Sequence, residues 1–130
     1  MSDGGKVTIE LLDEIQDAFN RRDVAAILSF FDDDCEWLMA RGPDAQVGRR
    51  CVGKQEIGDV LGARFEIIPD MRWVDMRHWV SGDRATSEWT VQGTLSDGST
   101  LDLLGCDLWR FRDGKVIRKD TYWKVVEPTT

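Results

Sequence analysis

Histidine is nearly absent from this chain: His78 is the only one in 130 residues. The three cysteines, Cys35, Cys51 and Cys106, are odd in number and form no Cys-x-x-Cys pair. These shortages leave no ligand set for a zinc-type centre and no disulfide framework, so no metal is expected and the thiols read as reduced. Basic residues are also in deficit, with 17 Lys and Arg against 24 Asp and Glu and a net charge of −7. Nucleic acid and anionic membranes need a basic face, so neither is expected as a partner. No apolar run approaches the length that spans a bilayer. The opening "MSDGGK" lacks the basic-then-apolar order of a signal peptide. The expectation is a cytoplasmic protein.

A hydrophobic content of 42% beside 32% charged residues describes a folded globular chain rather than a disordered or membrane one. The length fits one domain, 1–130, able to bury about two-thirds of its unfolded surface without metal or disulfide.

In "VTIELLDEIQDAFNRRDVAAILSFF", Ile9, Leu12, Ile15, Ala18 and Phe19 recur at helical spacing, with Thr8 as N-cap. The spacing restarts at Val24, Ile27, Leu28 and Phe31, predicting two helices or one bent near Arg22-Asp23. Asp32, Asp33 and Asp34 read as the stop of the second helix, and "CEWLMA" as a short strand. "RGPDAQVGRRCVG" is rich in turn formers and reads as loop. "KQEIGDVLGARFEII" predicts a third helix with Ile57, Val60, Leu61 and Phe65 on one face, ended by Pro69-Asp70. From Met71 the period becomes two, giving four strand-length runs separated by "SGD", "SDGS" and "RDGK". The fold class that follows is α+β, a curved antiparallel sheet wrapped around three N-terminal helices.

"AFNRRDVAAILSFFDDDCEW", "GDRATSEWTVQGTLSDG" and "GCDLWRFRDGKV" resemble the segments of a known family. It is the SnoaL-like group within the superfamily of nuclear transport factor two and ketosteroid isomerase. The resemblance runs from about Ile9 to Val126 and implies a cone-shaped pocket. It also implies a choice of activities, since the fold hosts isomerases, cyclases, dehydratases, hydrolases and non-enzymes. Against ketosteroid isomerase, the oxyanion-binding aspartate corresponds to Asp107 in "DLWRF" and a pocket aromatic to Trp123. The catalytic base falls on Met39 and the oxyanion tyrosine on Ile15, so that mechanism is not implied. Against limonene epoxide hydrolase, an Arg-x-Asp pair falls on Glu88 and Thr90.

Alternation along strands then sorts the candidates. With Asp107 inward, Leu103, Gly105, Trp109 and Phe111 share its face, while Cys106, Leu108 and Arg110 point outward. An aspartate in such company is paired or protonated. It acts as a general acid or hydrogen-bond donor, or it is a carboxylate tied to Lys119 or a backbone amide. On the last strand Ile117, Lys119, Thr121 and Trp123 are expected inward and Asp120 outward. The hydrolase comparison puts Glu88, Thr90 and Gln92 inward and Trp89 and Val91 outward, with Glu88 facing Lys119 across the pocket. His78 is expected on an inward face with Val74, Met76 and Val80, as a base or as a satisfied core residue. Trp37, Trp109 and Trp123 are expected to line the cone, whereas Trp73 and Trp79 are expected in the core.

The candidate catalytic set is therefore Asp107, His78 and Glu88. The candidate ligand-binding set is Trp37, Met39, Thr90, Trp109, Lys119, Thr121 and Trp123. The function these imply is cofactor-free isomerisation, cyclisation or dehydration of a small, partly apolar carbonyl compound by a homodimer. The alternatives are a non-catalytic ligand-binding module and an association domain that uses Trp89, Leu108 and Tyr122.

Overall fold

Thr8 opens the first helix as its side chain predicts: in the computed structural model, which describes residues 5–128, its Oγ1 accepts from the Leu11 amide at 3.1 Å. Helix α1 (Ile9–Asn20) buries Leu12, Ile15, Gln16, Ala18 and Phe19. Ile9, expected on that face, is 42% exposed in the first turn. The chain then breaks at Arg22, whose φ of 54° ends the helix. Its guanidinium donates to the carbonyls of Asn20 and Met71, and Asp23 caps α2 (Val24–Ser29).

The acidic run does not stop a helix in solvent but lies inside strand β1 (Phe31–Asp44). Phe31 is 1% exposed and pairs with Val116 of the last strand, so burial of its ring starts the strand one residue before the acids. Asp32 and Asp34 then hold Arg112 at 2.7 and 3.2 Å. The segment expected as loop is a hairpin. Asp44 Oδ1 accepts from the amides of Gln46 and Val47, the turn closes at Gly48 with φ 64°, and β2 (Gly48–Val52) returns along β1. A side chain that caps its own turn supplies the hydrogen bonds that composition alone assigns to a loop.

Helix α3 (Gly53–Ile67) buries Ile57 and Leu61. Gly58 weakens it locally for a reason: a Cβ there would sit 2.9 Å from Leu28 Cδ1, so the glycine lets α2 and α3 approach closely. The rest of the sheet is β3 (Arg72–Ser81), β4 (Arg84–Thr94), β5 (Thr100–Arg112) and β6 (Lys115–Trp123). Strand order is β2-β1-β6-β5-β4-β3. Every pairing is antiparallel except β1 with β6, which makes the sheet mixed. The helices cover its concave face, where Phe19 and Phe65 meet Trp73 edge-on.

Two bulges decide which side chains reach that face. In β3 the register shifts between Val74 and Arg77, with Asp75 at φ 54°. Trp73 therefore faces inward before the bulge and His78 after it, and Val74 does not share His78's face as expected. In β6, Phe111 pairs with Val116 and Arg110 with Arg118, which leaves Ile117 unpaired. Val116, not Ile117, is the core residue. One extra residue in one strand shifts its alternation by one position. Among the described residues no helix is long and apolar enough to cross a membrane.

Candidate functional site

Asp107 lies mid-strand in β5, between Ser87 of β4 and Thr121 of β6, with its carboxylate under the helices. It is 1% exposed and fully partnered. Oδ1 accepts from Lys119 Nζ at 2.7 Å and from Thr121 Oγ1 at 2.6 Å, and Oδ2 accepts from Trp89 Nε1 at 2.9 Å. Thr121 in turn accepts from Lys119 at 3.0 Å and from Trp37 Nε1 at 2.9 Å. Three donors on one carboxylate describe an ionised acceptor. Of the two expectations for Asp107, the paired carboxylate is the one observed.

Lys119, 5% exposed, is the other half of the pair. Its Nζ lies 5.1, 5.2 and 5.3 Å from the ring centroids of Trp37, Phe19 and Trp109. Burial pushes its ammonium down from the ordinary lysine range, against the pull of Asp107. Two of its N–H groups bind Asp107 and Thr121, and the third has no acceptor among the described residues.

A small cavity opens beside this cluster, walled by Trp37, Trp73, Trp89, Lys119, Thr121 and Trp123 and closed by Phe19, Leu61, Arg64 and Met71. Its volume is about 10 Å³, roughly the room one water needs. Asp107 and Trp109 stand behind this wall. Trp109 is 2% exposed and fills the core against Phe31, so it supports the site without lining it. Outside the cone, beneath the β1–β2 hairpin, Met39 lines a wider groove of about 720 Å³ with Arg41, Arg49 and Arg64.

The expected arrangement of β4 is inverted. Ser87, Trp89 and Val91 are buried at 0–1% exposure, and Glu88 and Thr90 face the other way, Glu88 paired with Cys106 and Thr90 with Leu104. Glu88 therefore does not meet Lys119, and neither Glu88 nor Thr90 lines the cavity. The sequence carries the signal for this: Ala85, Ser87, Trp89, Val91 and Gly93 alternate with Thr86, Glu88, Thr90 and Gln92. The small and apolar set is the one that burial selects. Gly105 completes the fit, since a Cβ there would come within 2.7 Å of the Trp89 ring.

His78 points inward but away from the cavity. Its Nδ1 is 2.7 Å from Ser87 Oγ, which also accepts from Trp109 Nε1 at 2.9 Å. The tautomer sets which of Nδ1 and Ser87 Oγ donates, and Nε2 lies 3.1 Å from Asp13 Oδ1 but poorly aligned for a hydrogen bond. Burial pushes the His78 pKa down more than Asp13 raises it. The Asp13–His78–Ser87 order has the composition of a hydrolytic triad, yet Ser87 is 0% exposed and its oxygen is committed to two partners. It ties α1 to the sheet. Trp79, expected in the core, is 53% exposed on the outer face.

Arg64 is the site residue that periodicity missed. It falls seven residues after Ile57, on the apolar face of α3, and a charged residue in an apolar phase was its signal.

The comparisons agree with this geometry. A search of curated proteins finds no match. Among solved structures, a polyketide cyclase candidate from Xanthomonas campestris pv. campestris is 24% identical with a TM-score of 0.78, covering 88% of each chain. TerC, co-crystallised with polyporic acid, is 27% identical with a TM-score of 0.74, over 89% of this chain and 90% of its own. A Catenulispora acidiphila protein with a ketosteroid isomerase-like fold, in complex with trimethylamine, is 17% identical with a TM-score of 0.77, over 92% and 88%. The sequence profile of the SnoaL-like domain matches residues 12–119, most of the chain. A mixed, curved sheet closing a polar cluster under three helices, and that match, lead to one conclusion: the chain belongs to the SnoaL-like domain family.

Proposed function

We propose that this protein binds a small, partly apolar organic molecule in the cone, the cavity walls parting beyond the room of one water to admit it, and carries out proton transfer on it, as an isomerase, cyclase or dehydratase of a carbonyl compound. The observation that carries the reading is Lys119, a desolvated ammonium on the cavity wall with one N–H uncommitted. Aimed at a carbonyl oxygen, that N–H stabilises the negative charge of an enolate. Burial loosens the proton, which brings the amine nearer to the working range of a general acid. No carboxylate or imidazole lines the cavity, so the reading gives both delivery and return of the proton to Lys119. Asp107 is then a positioning residue, the role left to it once Trp89, Lys119 and Thr121 fill its lone pairs. The molecules bound by TerC and by the trimethylamine complex support small-molecule binding in this fold.

Fragment screening by ligand-observed NMR, on protein carrying ¹³Cε-labelled lysine, tests the reading. Flat aromatic ketones are expected to move the Lys119 Cε resonance on binding. A library that binds without moving it, or that does not bind, removes Lys119 from the role.

A second reading is favoured by the outer face. Trp79 of β3, Leu104 and Leu108 of β5 and Tyr122 of β6 are 43–53% exposed, and a groove of about 450 Å³ runs past Trp79 and Leu108. An apolar sheet face of this kind marks an association surface. We assign it to a homodimer, with Trp79 rather than Trp89 on the contact face. Sedimentation is expected to show a dimer that Leu108→Arg converts to a folded monomer. A monomeric wild type eliminates the assignment. The free thiols at Cys35, Cys51 and Cys106 fit a reducing compartment, and we place the protein in the cytoplasm.

A further inference from the structure

Arg64 is a cation without an anion. Its guanidinium carbon lies 5.3 Å from the centroid of Trp37. Burial lowers its pKa, the Cys51 thiol opposes this and Arg41 adds to it, and no carboxylate is among the groups that act on it. An unpaired, partly desolvated guanidinium is unfavourable, and the cation–π contact offsets only part of that. None of its nitrogens is sealed from solvent, since His78 Nε2 is the only buried polar side-chain atom without a partner among the described residues. It lines the groove of about 720 Å³, and a ligand in that groove reaches it.

Its position is as informative as its lack of a partner. Arg64 is the residue common to the interior cavity and to the groove beneath the β1–β2 hairpin. That groove adds Arg41 and Arg49, both exposed and neither in an ion pair among the described residues. Its one carboxylate, Asp44, already caps the turn through Oδ1. In a chain of net charge −7, three guanidinium groups around one groove are a local reversal of sign.

We infer that Arg64 is an anion anchor and that the molecule bound here is a small organic acid. Its carboxylate pairs with the Arg64 guanidinium at the junction of groove and cavity, and its apolar part lies in the groove of about 720 Å³, against Met39 and Ala40. This rests on the small-molecule reading above and adds the charge of the ligand. The planar guanidinium fork matches a carboxylate in two parallel hydrogen bonds, and Met39 and Ala40 give an organic body the apolar contact that a bare phosphate cannot use. Pairing with the acid supplies the missing counter-charge.

The test is calorimetric titration with benzoate, cinnamate and 2-naphthoate beside their primary amides, and with inorganic phosphate. The acids are expected to bind about tenfold to a hundredfold more tightly than the amides. In Arg64→Gln the preference is expected to shrink to about twofold, and Arg64→Lys should keep part of it. The Arg64 ¹⁵Nε resonance should shift with 2-naphthoate. Because the guanidinium has no ion-pair partner to lose and its contact with Trp37 is offset by the cost of the unpaired charge, Arg64→Gln should melt close to wild type. Acids and amides that bind equally well overturn the anchor but leave small-molecule binding intact. Failure of every probe overturns both, and phosphate binding as tightly as the acids overturns the carboxylate class. The wild-type comparison of acid with amide holds whether or not the variants fold.

Discussion

Asp107→Leu is expected to lower the stability by about 3–5 kcal/mol, the penalty for breaking a buried ion pair from one side. In a chain of 130 residues that is a fall in Tm of roughly 10–20 °C. The reason is what stays behind. Lys119 stays at 5% exposure with Thr121 as its one remaining hydrogen-bond acceptor, and without the carboxylate that opposes the downward push of burial on its pKa. Trp89 Nε1 loses its acceptor as well. Lys119→Met is expected to cost a similar amount, leaving the carboxylate with Thr121 and Trp89 alone. The double variant Asp107→Leu/Lys119→Met removes both charges and should recover most of the loss, because well-packed apolar replacements of a buried pair are often neutral or stabilising. Urea denaturation of the four proteins closes a double-mutant cycle. A coupling of several kcal/mol is expected, and simple additivity of the two single losses would show that the pair does not interact as described.

Trp89→Ala and Trp79→Ala are expected to differ by several kcal/mol, though the two tryptophans stand ten residues apart on neighbouring strands. Trp89 is 1% exposed, packs over Gly105 and donates to Asp107. Its truncation should cost about 3–5 kcal/mol, the range for emptying an aromatic site in a core. Trp79 is 53% exposed, and its truncation in the monomeric Leu108→Arg background should stay within about 0.5 kcal/mol. Denaturant midpoints measured with a common slope separate the two. Equal losses would mean that the alternation of β4 or β3 is misassigned.

Those two residues also show where sequence reading reaches its limit. Alternation in β5 is legible because Asp107, Trp109 and Phe111 occupy an uninterrupted run, and burial follows the expected parity throughout. In β4 the alternation is equally clear, but comparison with a relative's catalytic pair points to the wrong face. Residue identity in a pattern is weaker evidence than the burial of Trp89 and Val91. In β3 no alternation argument succeeds across the whole strand, because the bulge at Asp75 joins two stretches of opposite parity. A positive φ at an aspartate leaves little trace in composition.

The elements themselves were settled locally. Thr8 and Asp23 as caps, the helical spacing of Leu12, Ile15 and Phe19, and the two-residue turn at Asp113-Gly114 each depend on residues within a turn of one another. Hydrogen bonds and side-chain direction over so short a span follow from the residues present, so the sequence by itself determined three helices, a meander and a family. The site depends on distances the local chain does not encode. Trp37 reaches Thr121 across 84 residues, and Arg64 is a cation with no ion pair among the described residues only because α3 sets it over Trp37. Tertiary structure decided that Asp107 is a paired carboxylate, that Lys119 faces the cavity and that Glu88 does not. Partners, burial and bulge positions fix charge and direction, and those are properties of the packed sheet and helices together.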